Sequence, residues 1–164
     1  MRSPVRCLAG LVVVAALAAC GAGDARGPTG AVCPTPDPMT LTWDSFGRDF
    51  MARYCTMCHA STLPRSQRNG APVFHDFDTL LGVRQVIDHV DEYAGFGPDA
   101  HNTVMPTARC PSTPGGPIDR ACAQPTAEER TTLSVWLACE RQRPYVDPVD
   151  AGLDAGPDAG VDAP

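Results

Sequence analysis

Two of the eight cysteines in this chain stand three positions apart and are followed at once by a histidine: Cys55-Thr56-Met57-Cys58-His59. C-x-x-C-H constrains what can fold around it more than any propensity does, because it is the pentapeptide that fixes a c-type haem covalently to protein. Two thiols at this spacing, in a turn or at a helix end, can each add across a vinyl group on one edge of a porphyrin. The next residue, His59, then lies beneath the ring, where its imidazole can ligate the iron. Chance is a weak competitor: with 8 Cys and 4 His in 164 residues, about 0.01 accidental copies are expected. A bare C-x-x-C also serves thioredoxin-like redox pairs and half zinc sites. The first should follow a strand in a βαβ pattern and the second needs another Cys or His pair at ligand spacing. Neither context is visible.

The N-terminus speaks to compartment. Arg2 and Arg6 form a short basic region, and Leu8 to Ala19 is a run of twelve apolar or small residues. About 20 residues are needed to span a bilayer, so the run reads as an export signal occupying residues 1–19. Leu17-Ala18-Ala19-Cys20, followed by Gly21, resembles the bacterial lipobox. The resemblance implies cleavage after Ala19, lipid on the Cys20 sulfur and a stable membrane anchor. An Asp after the Cys tends to retain such proteins in the inner membrane; Gly21 favours the outer one. The competing reading is an ordinary secretory signal with a coincidental cysteine.

Cysteine arithmetic fits an oxidising compartment. With Cys7 in the signal, Cys20 assigned to lipid and Cys55 and Cys58 to haem, four remain: Cys33, Cys110, Cys122 and Cys139. Three pairings are possible. Cys110 with Cys122 is favoured because they bracket the turn-rich stretch 111–117, leaving Cys33 to tie the start of the domain to its last helix through Cys139. Removing the first 19 of the 164 residues leaves 145, enough for one domain with a modest core. Lys is absent. Without Arg2 and Arg6, eleven Arg face nineteen acids, a net charge of −8 with no basic stripe to meet a nucleic acid.

Composition divides the chain. Residues 20–40 are rich in Gly, Pro, Ala and Thr without apolar period, as expected of a flexible tether. From Asp147 the sequence becomes an Asp-Ala-Gly-x repeat with five acids and no base. This tail, 147–164, lacks the glycine-rich nonapeptides of calcium-binding β-rolls and reads as disordered. Between them, 41–146 carries helical periodicity. Trp43, Phe46, Gly47, Phe50 and Tyr54 predict an amphipathic helix, capped by Thr42 or Asp44, that delivers Cys55, Cys58 and His59 at its end. A second helix is expected from Asp78, as N-cap, to about Tyr93, with Leu80, Leu81, Val83, Val86, Ile87 and Val90 apolar. A third opens on the capping box Thr126-Ala127-Glu128-Glu129, with Leu133, Trp136 and Leu137 as its buried stripe. No strand alternation is convincing, so the fold class is all-α, about three main helices with long loops.

These features together resemble the small monohaem class I cytochromes c, over 41–145 or about two thirds of the chain. The resemblance implies a cytochrome c-like fold in which the helix ending in C-x-x-C-H is crossed by the C-terminal helix. Gly47, eight residues before Cys55, would be the small residue at the crossing and Trp136 the aromatic packed there. Met105, followed by Pro106, takes the place of the distal iron ligand. A Pro carbonyl after the motif should accept the imidazole N–H, with Pro64 and Pro72 both candidates. Met39, Met51 and Met57 are less suited than Met105, and His75, His89 and His101 are alternative ligands that would give bis-His iron. The chain departs from the simplest members in its Cys110–Cys122 loop, its missing lysines and its acidic tail.

The functional expectation is a lipid-anchored electron carrier of the bacterial cell envelope, facing the periplasm. His59 and Met105 would hold one covalent haem, in a dry pocket of Trp43, Phe46, Phe50, Leu80, Val86, Leu133 and Trp136. Partners would be redox proteins docking through small interfaces. An axial Met raises the potential relative to bis-His iron. Competing readings are an open-site haem enzyme, peroxidase-like or gas-binding, and an accessory lipoprotein with a degenerate cytochrome domain.

Overall fold

The computed structural model describes residues 26–119 and 122–146. The signal segment, Cys20 and the acidic repeat lie outside them. The described chain is largely helical, with one two-stranded ribbon.

The first helical stretch starts at Thr42. Its hydroxyl accepts from the Ser45 N–H at 3.1 Å while Ser45 Oγ accepts from the Thr42 N–H at 2.8 Å, a capping box with Ser in the usual Glu position. A wide π-type turn, Trp43–Gly47, runs directly into α1, Arg48–Tyr54. The expected second helix is two. Thr79, not Asp78, is the cap, taking the Gly82 N–H on its hydroxyl at 3.0 Å, and Asp78 instead receives the Ser61 N–H and hydroxyl. Helix α2, Leu80–Gln85, ends where Val86 leaves helical geometry (φ −132°, ψ 31°), and α3, Ile87–Ala94, begins beyond it. Adjacent β-branched Val86 and Ile87 disfavour the uninterrupted turn. Helix α4, Ala127–Glu140, opens on the expected box: Thr126 accepts the Glu129 N–H at 3.2 Å and Glu129 accepts the Thr126 N–H at 2.7 Å.

The all-α expectation needs one correction. Cys110–Pro111 (β1) pairs antiparallel with Ile118–Asp119 (β2), Cys110 opposite Asp119. Two-residue strands are too short to display alternation. The ribbon sits inside the loop closed by the Cys110–Cys122 disulfide.

Helix α4 supplies the centre of the core. Leu133, Trp136 and Leu137 are wholly buried, against Met51 from α1 and Val83 from α2. Gly47 lies against Trp136 so closely that a Cβ there would overlap the indole ring. The crossing therefore depends on glycine for space rather than for backbone freedom.

Residues 26–40 are not a free tether. Thr29 is fully buried, and its N–H and hydroxyl both bond the Asp91 carboxylate of α3, at 3.0 and 2.8 Å. Cys33 is disulfide-bonded to Cys139, and Asp37 pairs with Arg143 through two short contacts. Polar anchors and a covalent bond hold this strap where no apolar period announced it.

Candidate cofactor-binding site

The end of α1 builds the first wall of the site. Met51 O accepts the Cys55 and Thr56 N–H groups at 2.9 and 3.0 Å, and Cys55 O then accepts those of Cys58 and His59 at 3.1 and 3.0 Å. The helix thus tightens into a turn that carries both thiols and the imidazole. Cys55 and Cys58 are the free cysteines among the described residues, and the two expected disulfides use the other four.

The chain then loops away and returns to hold His59. The Phe77 N–H donates to His59 O at 2.7 Å, and the Phe77 ring stacks on the imidazole at 4.5 Å between centroids. His59 Nδ1 lies 3.2 Å from His75 O. A carbonyl can only accept, so Nδ1 carries the proton and Nε2 keeps its lone pair. The expected Pro64 and Pro72 acceptors are both otherwise engaged: Pro64 O takes the Gln67 N–H and Pro72 O takes Arg68 Nη2. Burial pushes the His59 imidazolium down to about 4, against the opposing pull of the His75 carbonyl. At neutral pH the ring is uncharged, the form that ligates metals.

These residues face one cavity of about 530 Å³. That is in the roughly 300–1,000 Å³ range of sites that enclose a small molecule or cofactor. Its wall includes Cys55, Cys58, His59 and Met105, with Phe77, Val90 and Tyr93 among the apolar and aromatic surfaces. Met105 is pinned at both backbone ends: its N–H donates to Tyr93 O at 2.8 Å and its carbonyl accepts from Arg130 Nη1 at 2.7 Å.

Of the other candidate ligands, His75 and His89 line the same cavity, their rings 5.6 Å apart. His101 does not; it stacks on Phe96 at 4.7 Å. Met57 reaches the wall, Met51 is core, and Met39 is exposed. The seven apolar residues expected to line the pocket belong elsewhere. Phe50, Leu133 and Trp136 are core, with Trp43, Phe46, Leu80 and Val86 packed on it, because they fill the contact between helices rather than the space beside the motif.

The geometry separates the chemistries a C-x-x-C can serve. Burial raises the Cys55 thiol to about 12, opposite to the lowered value that makes a redox-active cysteine nucleophilic. A zinc centre needs its donors gathered together. Among the described residues the one three-donor group with ligand atoms within 4.8 Å is Cys33, Asp37 and Cys139, whose sulfurs are committed to a disulfide. A haem fits the remaining arrangement: two free cysteines for covalent attachment, a neutral imidazole whose Nδ1 is bonded to a carbonyl, a methionine in the same lining, and largely apolar surroundings.

Two buried arginines flank the site, and they differ in how far the sequence announces them. Arg68, 2% exposed, gathers carbonyls of the 60–77 loop. Arg130, 4% exposed, binds the carbonyls of Ala94, Asn102 and Met105. Arg130 was detectable, since Leu133, Ser134 and Leu137 follow it at helical spacing and place it on the buried face. Arg68 lies in a loop without period and had no such signal. Comparison of the chain with family models, with curated proteins and with solved structures finds no match.

Proposed function

We propose that the protein is a monohaem c-type cytochrome that passes single electrons between redox partners outside the cytoplasm. The observation that carries this reading is the convergence, on the lining of one cavity, of the two free cysteines, an uncharged His59 and Met105. Haem, when bound, supplies a one-electron couple at iron whose potential depends on its axial ligands and surroundings. Cys55 and Cys58 would tether the group, His59 Nε2 and Met105 Sδ would be its iron donors, and the apolar lining would limit the access of water. If His59 and Met105 both ligate the iron, no position on it would be left open to a substrate, and the chain would act as a carrier rather than an enzyme. The helix ending in the motif, crossed at Gly47 by Trp136, supports a cytochrome c-like fold.

Two disulfides suit an oxidising compartment. Lipid on Cys20 would hold the carrier at an envelope membrane.

Haem staining of a denaturing gel tests attachment, since thioether-linked haem survives denaturation; the stain is expected in the wild type and lost in Cys55→Ala/Cys58→Ala. The ferric spectrum tests ligation. A weak far-red Fe–S(Met) band, lost in Met105→Ala, is expected, and a five-coordinate high-spin spectrum in the wild type overturns the carrier reading in favour of open-site haem chemistry.

A further inference from the structure

His59 does not end its hydrogen-bond chain at the His75 carbonyl. Arg68 Nη2 donates to the same oxygen at 2.9 Å and to Pro72 O at 2.8 Å. Its Nη1 donates to Ala60 O, the residue after His59, and to the Asp76 carboxylate, both at 2.8 Å. One planar fork therefore grips the backbone on both sides of the loop that holds the imidazole. Arg68 is 2% exposed, so its guanidinium is shielded from solvent competition. Asp76 offsets its charge, which makes the fork's directed bonds, rather than a bare cation, its main local effect.

We propose that Arg68 is a positioning residue that sets the donor strength of His59 through the shared His75 carbonyl. The inference rests on the haem reading above. A carbonyl oxygen already engaged by a guanidinium has less electron density to offer the Nδ1–H. The imidazole keeps less imidazolate character, donates less to ferric iron, and leaves the ferrous form relatively favoured. Removing the guanidinium strengthens the Nδ1–H···O bond and lowers the potential. Outer-shell partners of a ligating histidine act on the metal in this way. The same fork fixes where the carbonyl sits, since the acceptor belongs to an irregular loop held by Arg68 at both ends.

The test compares haem-loaded wild type with Arg68→Met and Arg68→Lys. Midpoint potential is measured by redox titration, and the His59 Nδ1–H resonance by proton NMR of the ferrous protein. Arg68→Met is expected to lower the potential and move the N–H resonance downfield, with the Fe–S(Met) band retained. Arg68→Lys, which cannot bridge the Ala60 and His75 carbonyls with one planar group, should shift both in the same direction by less, and it decides the matter if the Met variant does not fold. Unchanged potential and resonance in a folded variant, or a rise in potential, overturns the proposal. A wild type that takes up no covalent haem fails both readings; a loaded protein whose potential ignores Arg68 fails this one alone.

Discussion

Gly47 is where one residue controls the packing of two helices. Any side chain there must displace the Trp136 ring, which is wholly buried and itself packed against Trp43 and Phe46. Overpacking of this kind costs about 1–3 kcal/mol. Gly47→Ala is therefore expected to lower the unfolding free energy by that amount, seen as a lower urea midpoint at unchanged m-value, while Gly27→Ala, where a Cβ meets nothing within 4 Å, should leave the midpoint nearly unmoved. Trp136 was legible as part of the buried stripe that follows the Thr126 capping box, whereas its contact with Gly47 was an implication of the resemblance to the cytochromes c. The imidazole's acceptor was not legible. A backbone oxygen has no residue signature, and any loop carbonyl from Ala60 to Phe77 could have served; the choice of His75 over Pro64 or Pro72 depends on where Arg68 holds the loop.

At the scale of elements, α4 shows why its start was readable and its electrostatics were not. Thr126 and Glu129 announce the cap locally, but Glu129 also accepts the Tyr54 hydroxyl at 2.7 Å, 75 residues away. The Thr126 N–H, then the Tyr54 hydroxyl, hold the Glu129 carboxyl below its ordinary 4.5. Because its value in the folded protein is the lower one, its stabilisation is complete above 4.5 and disappears as pH falls through the folded value. Urea midpoints measured from neutral pH downward should therefore fall below pH 4.5, and Glu129→Gln should flatten that acid limb while lowering the neutral plateau. The split of the predicted second helix belongs to the same scale. Its apolar face was visible, yet the Val86 break follows from backbone crowding that an apolar pattern does not encode.

For the whole molecule, the division of the chain was partly readable. The helical region was legible from its 3.6-residue period and the disulfides from cysteine spacing and count. The strap at 26–40 was not, since Thr29, Cys33 and Asp37 bind partners 62 to 106 residues away through polar and covalent contacts. Opening Cys33–Cys139 with a Cys33→Ser/Cys139→Ser pair frees a loop of about 100 residues, worth up to about 4.7 kcal/mol in the chain-entropy model. The variant should unfold at markedly lower urea, by circular dichroism, whereas Cys110→Ser/Cys122→Ser, closing 12 residues, should cost less. The long closure also sets how mechanical load travels. A pull between the two ends of the chain peels Thr29 from Asp91 and then reaches the sulfur–sulfur bond. From there tension crosses directly to Cys139, bypassing everything between. The cavity, the Cys55–His59 turn and the Met105 loop lie inside that interval, so once the outer contacts, Arg84–Glu140 and Arg141–Asp88 among them, have given way, tension between the ends passes them by.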